Sequence, residues 1–218
     1  RSSAASDVYK RQGEDFPKEA RAMLTSPAIN LDGLVMSPGN TFRWSGRYHE
    51  NMNIRDTRDL QMNVVANFKP NLPDHYRREP FVFLGNIDPA LQGEVLNQTA
   101  GNPLIGCDTI GHWIENDRAA LEDVLKRVDM LVVNDEEAGM ISSESNIVKA
   151  ADRILSMGPK TVVIKRGEFG ASLFSSGSTF SIPAYPLREV VDPTGAGDSF
   201  AGGLLGYQSE SGETSAAG

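Results

Sequence analysis

The stretch DRAALEDVLKRVDMLVVN, residues 117–134, carries both periodicities from which a layered α/β domain is assembled. Ala120, Leu121, Val124, Leu125 and Val128 fall on one stripe at helical spacing, which predicts an amphipathic helix. MLVVN, residues 130–134, follows as a short apolar run, the pattern of a strand covered on both faces. The alternation continues outward in both directions. Upstream, FVFLG (81–85) and PLIGCD (103–108) read as strands, with a helix between them that starts at Pro89 and carries Leu91, Val95 and Leu96. Downstream, IVKAADRILSMG (147–158) is a helix with Gly158 beyond its end, and TVVIK (161–165) is the next strand. Successive strand–helix–strand passages predict an α/β domain with a mostly parallel sheet. GASLF (170–174) and STFSIP (178–183) predict an antiparallel pair around Gly177.

Residues 39–70 read differently. NTFRWSGRYH (40–49) alternates aromatic and polar residues around Ser45-Gly46, a hairpin signal, and DLQMNVVANF (59–68) continues the alternation. This predicts a small β flap with one open face beside the main domain. The proline-rich KPNLPDHYRREP (69–80) is the connector back to it. The opening twelve residues, RSSAASDVYKRQ, have no apolar periodicity and read as a linker or non-native segment outside the fold. The predicted organisation is therefore residues 1–12, then 13–78 with the flap, then 79–218 as the α/β part. Both termini read as those of a fragment.

Composition restricts the partners. A formal net charge of −8 argues against non-specific binding to nucleic acid or to an anionic membrane surface, because both require a positive field. One cysteine, Cys107, excludes an internal disulfide framework and a cysteine-based zinc site, and fits the cytoplasm. No apolar run has the length that spans a bilayer. His49, His75 and His112 lack metal-ligand spacing.

The candidate site is VVDPTGAGDSF, residues 190–200. Gly195 and Gly197 let successive backbone N–H groups converge, and Phe200, Leu204 and Tyr207 begin a helix whose positive end faces the same spot. An anion is expected there. A dinucleotide fingerprint needs Gly or Ala at position 200, where this chain has Phe200, and a Walker P-loop needs a Lys followed by Ser or Thr. Neither is present. Asp198 would repel a resident phosphate, so the loop suits a migrating phosphoryl group, with Asp198 accepting the proton of a hydroxyl. The competing reading makes Asp198 a helix-capping residue.

The stretch DPTGAGDSFAGG (192–203) resembles the C-terminal signature of the PfkB, or ribokinase-like, family of carbohydrate and nucleoside kinases, with Asp192, Thr194, Gly195, Ala196, Gly197 and Asp198 as its core. The resemblance implies a ribokinase-like three-layer domain with a β lid, in which Asp198 is the catalytic base and the backbone of Gly195, Ala196 and Gly197 forms the anion hole. VVNDEEAGM (132–140) is similar to the family's Asn-x-x-Glu motif, here Asn134 and Glu137, which organises Mg²⁺, largely through water, and the nucleotide phosphates. The same pair also fits a helix cap and its box partner. VIKRGEFGASLF (163–174) is similar to the strand and glycine turn bordering the nucleotide, which makes Gly167 a nucleotide-binding candidate along with Thr194. The resemblance implies ATP and Mg²⁺, leaves room for a monovalent cation, and puts a sugar or sugar derivative at the acceptor site, the alternatives being a nucleoside kinase of the same fold or a ribokinase-like module that holds nucleotide without transfer. It also implies a homodimer contact through the lid. Lys165 or Arg166 could face a phosphate, with a solvated turn as the competing reading. Asp108 ends a strand where α/β sheets bind ligands, with a turn or cap role equally open. Arg43 and Arg47 could clamp an anionic group or simply face solvent, and none of the five is assigned to the site.

Overall fold

A computed structural model describes residues 6–25, 29–49 and 55–211. The chain divides into two compact units, Arg1–Arg77 and Arg78–Gly218.

In the first unit, β1 (Ser6–Gly13) is followed by α1 (Lys18–Leu24) and by β2 (Ile29–Ser37), which pairs with β1 in parallel. Residues 6–12, read from the sequence as outside the fold, are therefore part of a strand. The error has a physical source: a parallel partner supplies the backbone hydrogen bonds whatever the side-chain pattern, and apolar periodicity is blind to that. β3 (Arg43–Tyr48) and β4 (Arg55–Gln61) pair antiparallel, as the flap reading expects. Ser45-Gly46 is not their turn, however. It lies within β3 at a bulge, where the Trp44 ring crosses so close to Gly46 that a Cβ there would stand 2.3 Å from it. The alternation predicted for residues 59–68 also stops early, since β4 ends at Gln61 and Asn63–Val65 form a 3₁₀ turn. Asp15 fastens the entry to β3 by accepting from the Thr41 amide (2.6 Å) and from Arg43 (2.8 Å). Those two bonds, the Thr41 amide first, hold its carboxyl below the usual range.

The second unit alternates β5 (Phe81–Leu84), α2 (Pro89–Leu96), β6 (Leu104–Asp108), α3 (Gly111–Asn116), α4 (Arg118–Leu125), β7 (Met130–Asn134), α5 (Asp135–Ser142), α6 (Ile147–Leu155) and β8 (Thr161–Lys165). The hairpin β9 (Ala171–Ser175) and β10 (Ser178–Ile182) comes next, and α7 (Ala196–Ser211) closes the order. The six strands lie in the order β10-β9-β8-β7-β6-β5, with β5 to β8 parallel and β9 and β10 antiparallel at one edge. This is the predicted mostly parallel sheet. The helix predicted through Val128 ends at Leu125, although Val128 stays buried beyond it.

Side chains of β7 alternate between two covered faces. Leu131 and Val133 join Leu121, Val124, Leu125, Ile141 and Ile154 in the larger core. Met130 and Val132, with Val163, face the other way, where Phe200 and Leu204 of α7 pack on them. Burying one such side chain is worth about 1.5–3 kcal/mol. Asp129 sets the strand starts: its carboxylate accepts from the Ile105 amide (2.9 Å) and its carbonyl from the Lys160 and Thr161 amides. Among the described residues no helix is long and apolar enough to cross a membrane.

Gly170 and Gly177 test how tightly the β9–β10 hairpin is drawn. Both have positive φ, +91° and +77°, but a Cβ on Gly170 would stand 2.0 Å from the Ile182 carbonyl oxygen, whereas one on Gly177 meets open space. Gly170→Ala is expected to cost more than about 2 kcal/mol, and Gly177→Ala about 1 kcal/mol, in urea unfolding. Equal costs would mean that the approach to Ile182 is not constraining.

Candidate active site

Three parallel strands end together at one edge of the sheet, each on a polar residue: β6 on Asp108, β7 on Asn134 and β8 on Lys165. In open parallel sheets this carboxyl edge is where ligands bind. α7 reaches the same place from the second face. Phe200 and Leu204 anchor it on Met130, Val132 and Val163. A Cβ on Gly106 would lie 3.1 Å from the Phe83 ring and 3.6 Å, an ordinary contact, from Leu205 of α7, so the glycine accommodates Phe83 while the helix packs at normal distance.

The first turn of α7 is entered through Gly195 at φ +79°, a conformation that favours glycine. The loop before it is fixed by Asp192, whose carboxylate accepts from the Thr194 amide at 2.9 Å. The Thr194 side chain and amide together hold the Asp192 carboxyl below the usual range. Thr194 thus builds the loop. Of the three amides expected to form an anion hole, that of Ala196 is already engaged, donating to the Pro193 carbonyl at 3.1 Å. Those of Gly195 and Gly197 carry no hydrogen bond among the described residues. The cradle is therefore two amides at a helix N-terminus rather than three. Asp198 stands in the same turn, solvent-exposed, and its charge is felt by Asp108.

Asn134 and Glu137 form a reciprocal capping box: Asn134 Oδ1 accepts from the Glu137 amide (2.7 Å), and Glu137 Oε2 accepts from the Asn134 amide (2.9 Å). The structural role anticipated for this spacing is present. Yet Glu137 is only 8 % exposed and its charge also reaches Asp108, so the box carries a carboxylate to the strand edge as well as starting α5. Gly167 stands apart. It is exposed at φ +53° in a turn closed on itself by the Arg166, Phe169 and Gly170 amides, and no described contact joins it to the carboxylates. Arg166 lies over the Phe169 ring of that turn, 5.7 Å from its centre.

Two residues that the sequence reading left open, Lys165 and Asp108, stand at the same edge. Lys165 projects its ammonium onto the first turn of α7, where a Cβ on Gly197 would stand 2.8 Å from Nζ. Asp108 is 8 % exposed, and its Oδ1 has no hydrogen-bond partner; the neighbouring Thr109 hydroxyl has none either. Burial pushes the Asp108 carboxyl up to about 7, against the pull of Lys165 and with further upward pushes from Asp198 and Glu137. The signal available in the sequence was position, because each is the last residue of its strand. Gln92 gave none. It is buried in α2, and its amide donates to the carbonyls of Gly85 and Asp108, tying the ends of β5 and β6 together.

The raised Asp108 value has a thermodynamic consequence. Between about pH 4 and about pH 7 the native state holds a proton on Asp108 that the unfolded chain has released, so this group's contribution makes stability fall as pH rises through that window. Asp108→Asn is expected to be more stable than the parent at pH 8, by at most about 4 kcal/mol, with the difference shrinking towards pH 4. Urea unfolding at both pH values measures it. A variant less stable than the parent at pH 8 would contradict the cause assigned here.

Comparison with known proteins agrees with the geometry. Residues 105–217 match the pfkB family carbohydrate kinase profile. The chain is similar to a cytidine kinase of Thermococcus kodakarensis, 33% identical over 206 residues that make up 89% of this chain and 71% of that protein. It is also 28% identical to an inositol 3-kinase of Arabidopsis thaliana over 215 residues, 94% of this chain and 56% of the relative, so it spans little more than half of that protein's length. In fold it is similar to the crystal structure of a protein assigned as ribokinase II from E. coli, in complex with ATP and Mg²⁺, with a TM-score of 0.78 at 21% identity over 94% of this chain and 70% of the other. Its sheet and helices are those of the ribokinase fold, and the chain belongs to the pfkB family of carbohydrate kinases.

Proposed function

We propose that the complete protein transfers the γ-phosphoryl group of ATP to a hydroxyl of a sugar or sugar-bearing acceptor. The observation that carries this reading is the meeting of Asp198, two unengaged amides at the start of α7, and the polar ends of β6, β7 and β8. The acceptor oxygen forms a bond to the γ-phosphorus, the bond from that phosphorus to the bridging oxygen breaks and ADP leaves, and the acceptor proton passes to Asp198. Exposure of Asp198 suits this role, since the base must be reached by an incoming hydroxyl. The amides of Gly195 and Gly197 point partial positive charge at the oxygens of the moving group. Thr194 serves the nucleotide indirectly by shaping the loop, and Gly167 borders it by backbone alone.

The residues present fit Mg²⁺. Asp108 and Glu137 bring two buried carboxylates towards one place, and Asp108 Oδ1 lacks a partner, which suits a hard cation held through few carboxylates and water. Asn134 and Glu137 would hold it, and it would neutralise charge on the phosphate oxygens. The apolar groove of about 420 Å³ beside α7, lined by Val163, Leu173, Phe180, Ile182 and Phe200, offers a surface on which a base could stack. A nucleoside acceptor is the second reading, favoured by the similarity to a cytidine kinase.

Asp198→Asn in the complete protein is expected to lower kcat by at least about 100-fold while ATP binding persists in calorimetry. Turnover equal to the parent's would end the proposed role. Glu137→Gln keeps an oxygen for the capping box and removes the charge. The expected result is an unchanged melting temperature with half-maximal turnover displaced to at least about tenfold higher Mg²⁺; an unshifted Mg²⁺ dependence would leave Glu137 as a cap alone. Cytidine, ribose and fructose compared by kcat/KM decide between nucleoside and sugar.

A further inference from the structure

We propose that Lys165 is the side chain that meets the transferring phosphoryl group, an inference that rests on the phosphoryl-transfer reading above and adds to it a full charge that the backbone cradle lacks. Lys165 ends β8, paired in register with Asn134 of β7, so the strand aims its stem at the ligand edge. Its ammonium lies against Gly197, beside the two amides that carry no hydrogen bond. A cation at the positive end of a helix is in an unfavourable place unless something negative comes between them.

The local structure does not supply that group. Among the described residues the Lys165 ammonium has no hydrogen bond and no ion pair within the distance that defines the ion pairs elsewhere in the chain. A buried carboxylate on which it acts, Asp108, has an oxygen that is likewise unpartnered among the described residues, so the two groups sense each other without closing a bond. A charge-charge attraction left open in this way marks space for a third body. The amides and the ammonium ask for an anion, and the carboxylates on the far side ask for the cation that accompanies it. A phosphoryl group escorted by a divalent cation satisfies all three kinds of group. Gly197 is part of the device, because any side chain there would drive the ammonium off the turn.

Lysine suits the task better than arginine would. The phosphoryl group moves between two oxygens during transfer, and a compact charge on a flexible stem can follow it, whereas a planar fork is matched to one fixed geometry. Lys165 neither gives nor takes a proton in this scheme. The bonds made and broken are those already stated, with Asp198 receiving the proton.

The test uses the complete protein with three substitutions. Lys165→Met is expected to reduce kcat by about 100-fold, the size of effect that one preorganised charge or donor exerts on a developing anion. The KM for the acceptor should stay within about threefold, because the acceptor does not touch this residue. A second readout is independent of turnover: in magnesium-free buffer, calorimetry should show the parent preferring the β,γ-imido analogue of ATP over ADP, and Lys165→Met losing that preference with ADP affinity kept. Lys165→Arg should recover at least about tenfold of the lost kcat. Gly197→Ala, which keeps the charge but displaces it, should lose the same preference and covers the case in which Lys165→Met does not fold. A Lys165→Met enzyme with more than about a third of the parent's kcat overturns the inference, and so does an equal loss of affinity for ADP and for the analogue. The parent reading fails separately: an active Asp198→Asn form sinks both, whereas an inactive Asp198→Asn form beside an active Lys165→Met form sinks only the role of Lys165.

Discussion

The packing of α7 against the sheet is the contact on which the site depends. Phe200 and Leu204 sit on Met130, Val132 and Val163, and Leu205 lies at ordinary contact distance from the Gly106 position. A helix of sixteen residues laid across the second face in this way has its N-terminus fixed by apolar contacts that begin at Phe200, two residues beyond Asp198. The amides of Gly195 and Gly197 and the carboxylate of Asp198 are thereby held over the strand ends without being bonded to them. Rigid placement of dipoles is what makes them useful, since they need not reorient when charge develops.

The strand ends bring together groups that would not assemble on their own. Asp198 and Glu137 both act against a charge on Asp108, and Lys165 opposes them. The larger core bears the cost. β6 and β7 are buried on both faces, and Gln92 locks the Asp108 carbonyl from the α2 side. Such local conflict, with buried polar atoms left unpartnered at Asp108 and Thr109, is the usual mark of a functional site in an otherwise consistent fold.

The capping box at Asn134 and Glu137 shows how one arrangement can serve two ends. Its hydrogen bonds begin α5, and the same geometry holds a carboxylate, nearly excluded from water, at the edge where a cation would be needed. The capping box is present, and it leaves the proposed role of Glu137 towards a cation compatible with it. For the anion loop, the expected three amides become two, because Pro193 takes the Ala196 N–H to form the turn. The turn that exposes the remaining amides is the one that consumes the third.

Much was legible in the chain itself. Doubly buried strands read as apolar runs because both faces must leave water, which gave the β5–β8 sheet and its helices. The glycines of residues 195–197 and the asparagine-to-glutamate spacing at 134–137 were legible because backbone geometry allows few other residues there. The strand at residues 6–13 was not, because its partner at 29–37 lies outside any local window, and Ser45-Gly46 was misread as a turn because a bulge and a turn ask for similar residues. For Lys165 and Asp108 the sequence offered a ligand-facing reading and a solvated one side by side, and only the tertiary structure shows where the two side chains lie. A lysine and an aspartate at strand ends can equally be solvated, and it took parallel pairing to bring the ends of β6 and β8 to one edge of the sheet and a helix from the far face to set Gly197 beside the ammonium. Sequence determines which groups the backbone can carry; distance between residues ninety positions apart is decided by packing alone.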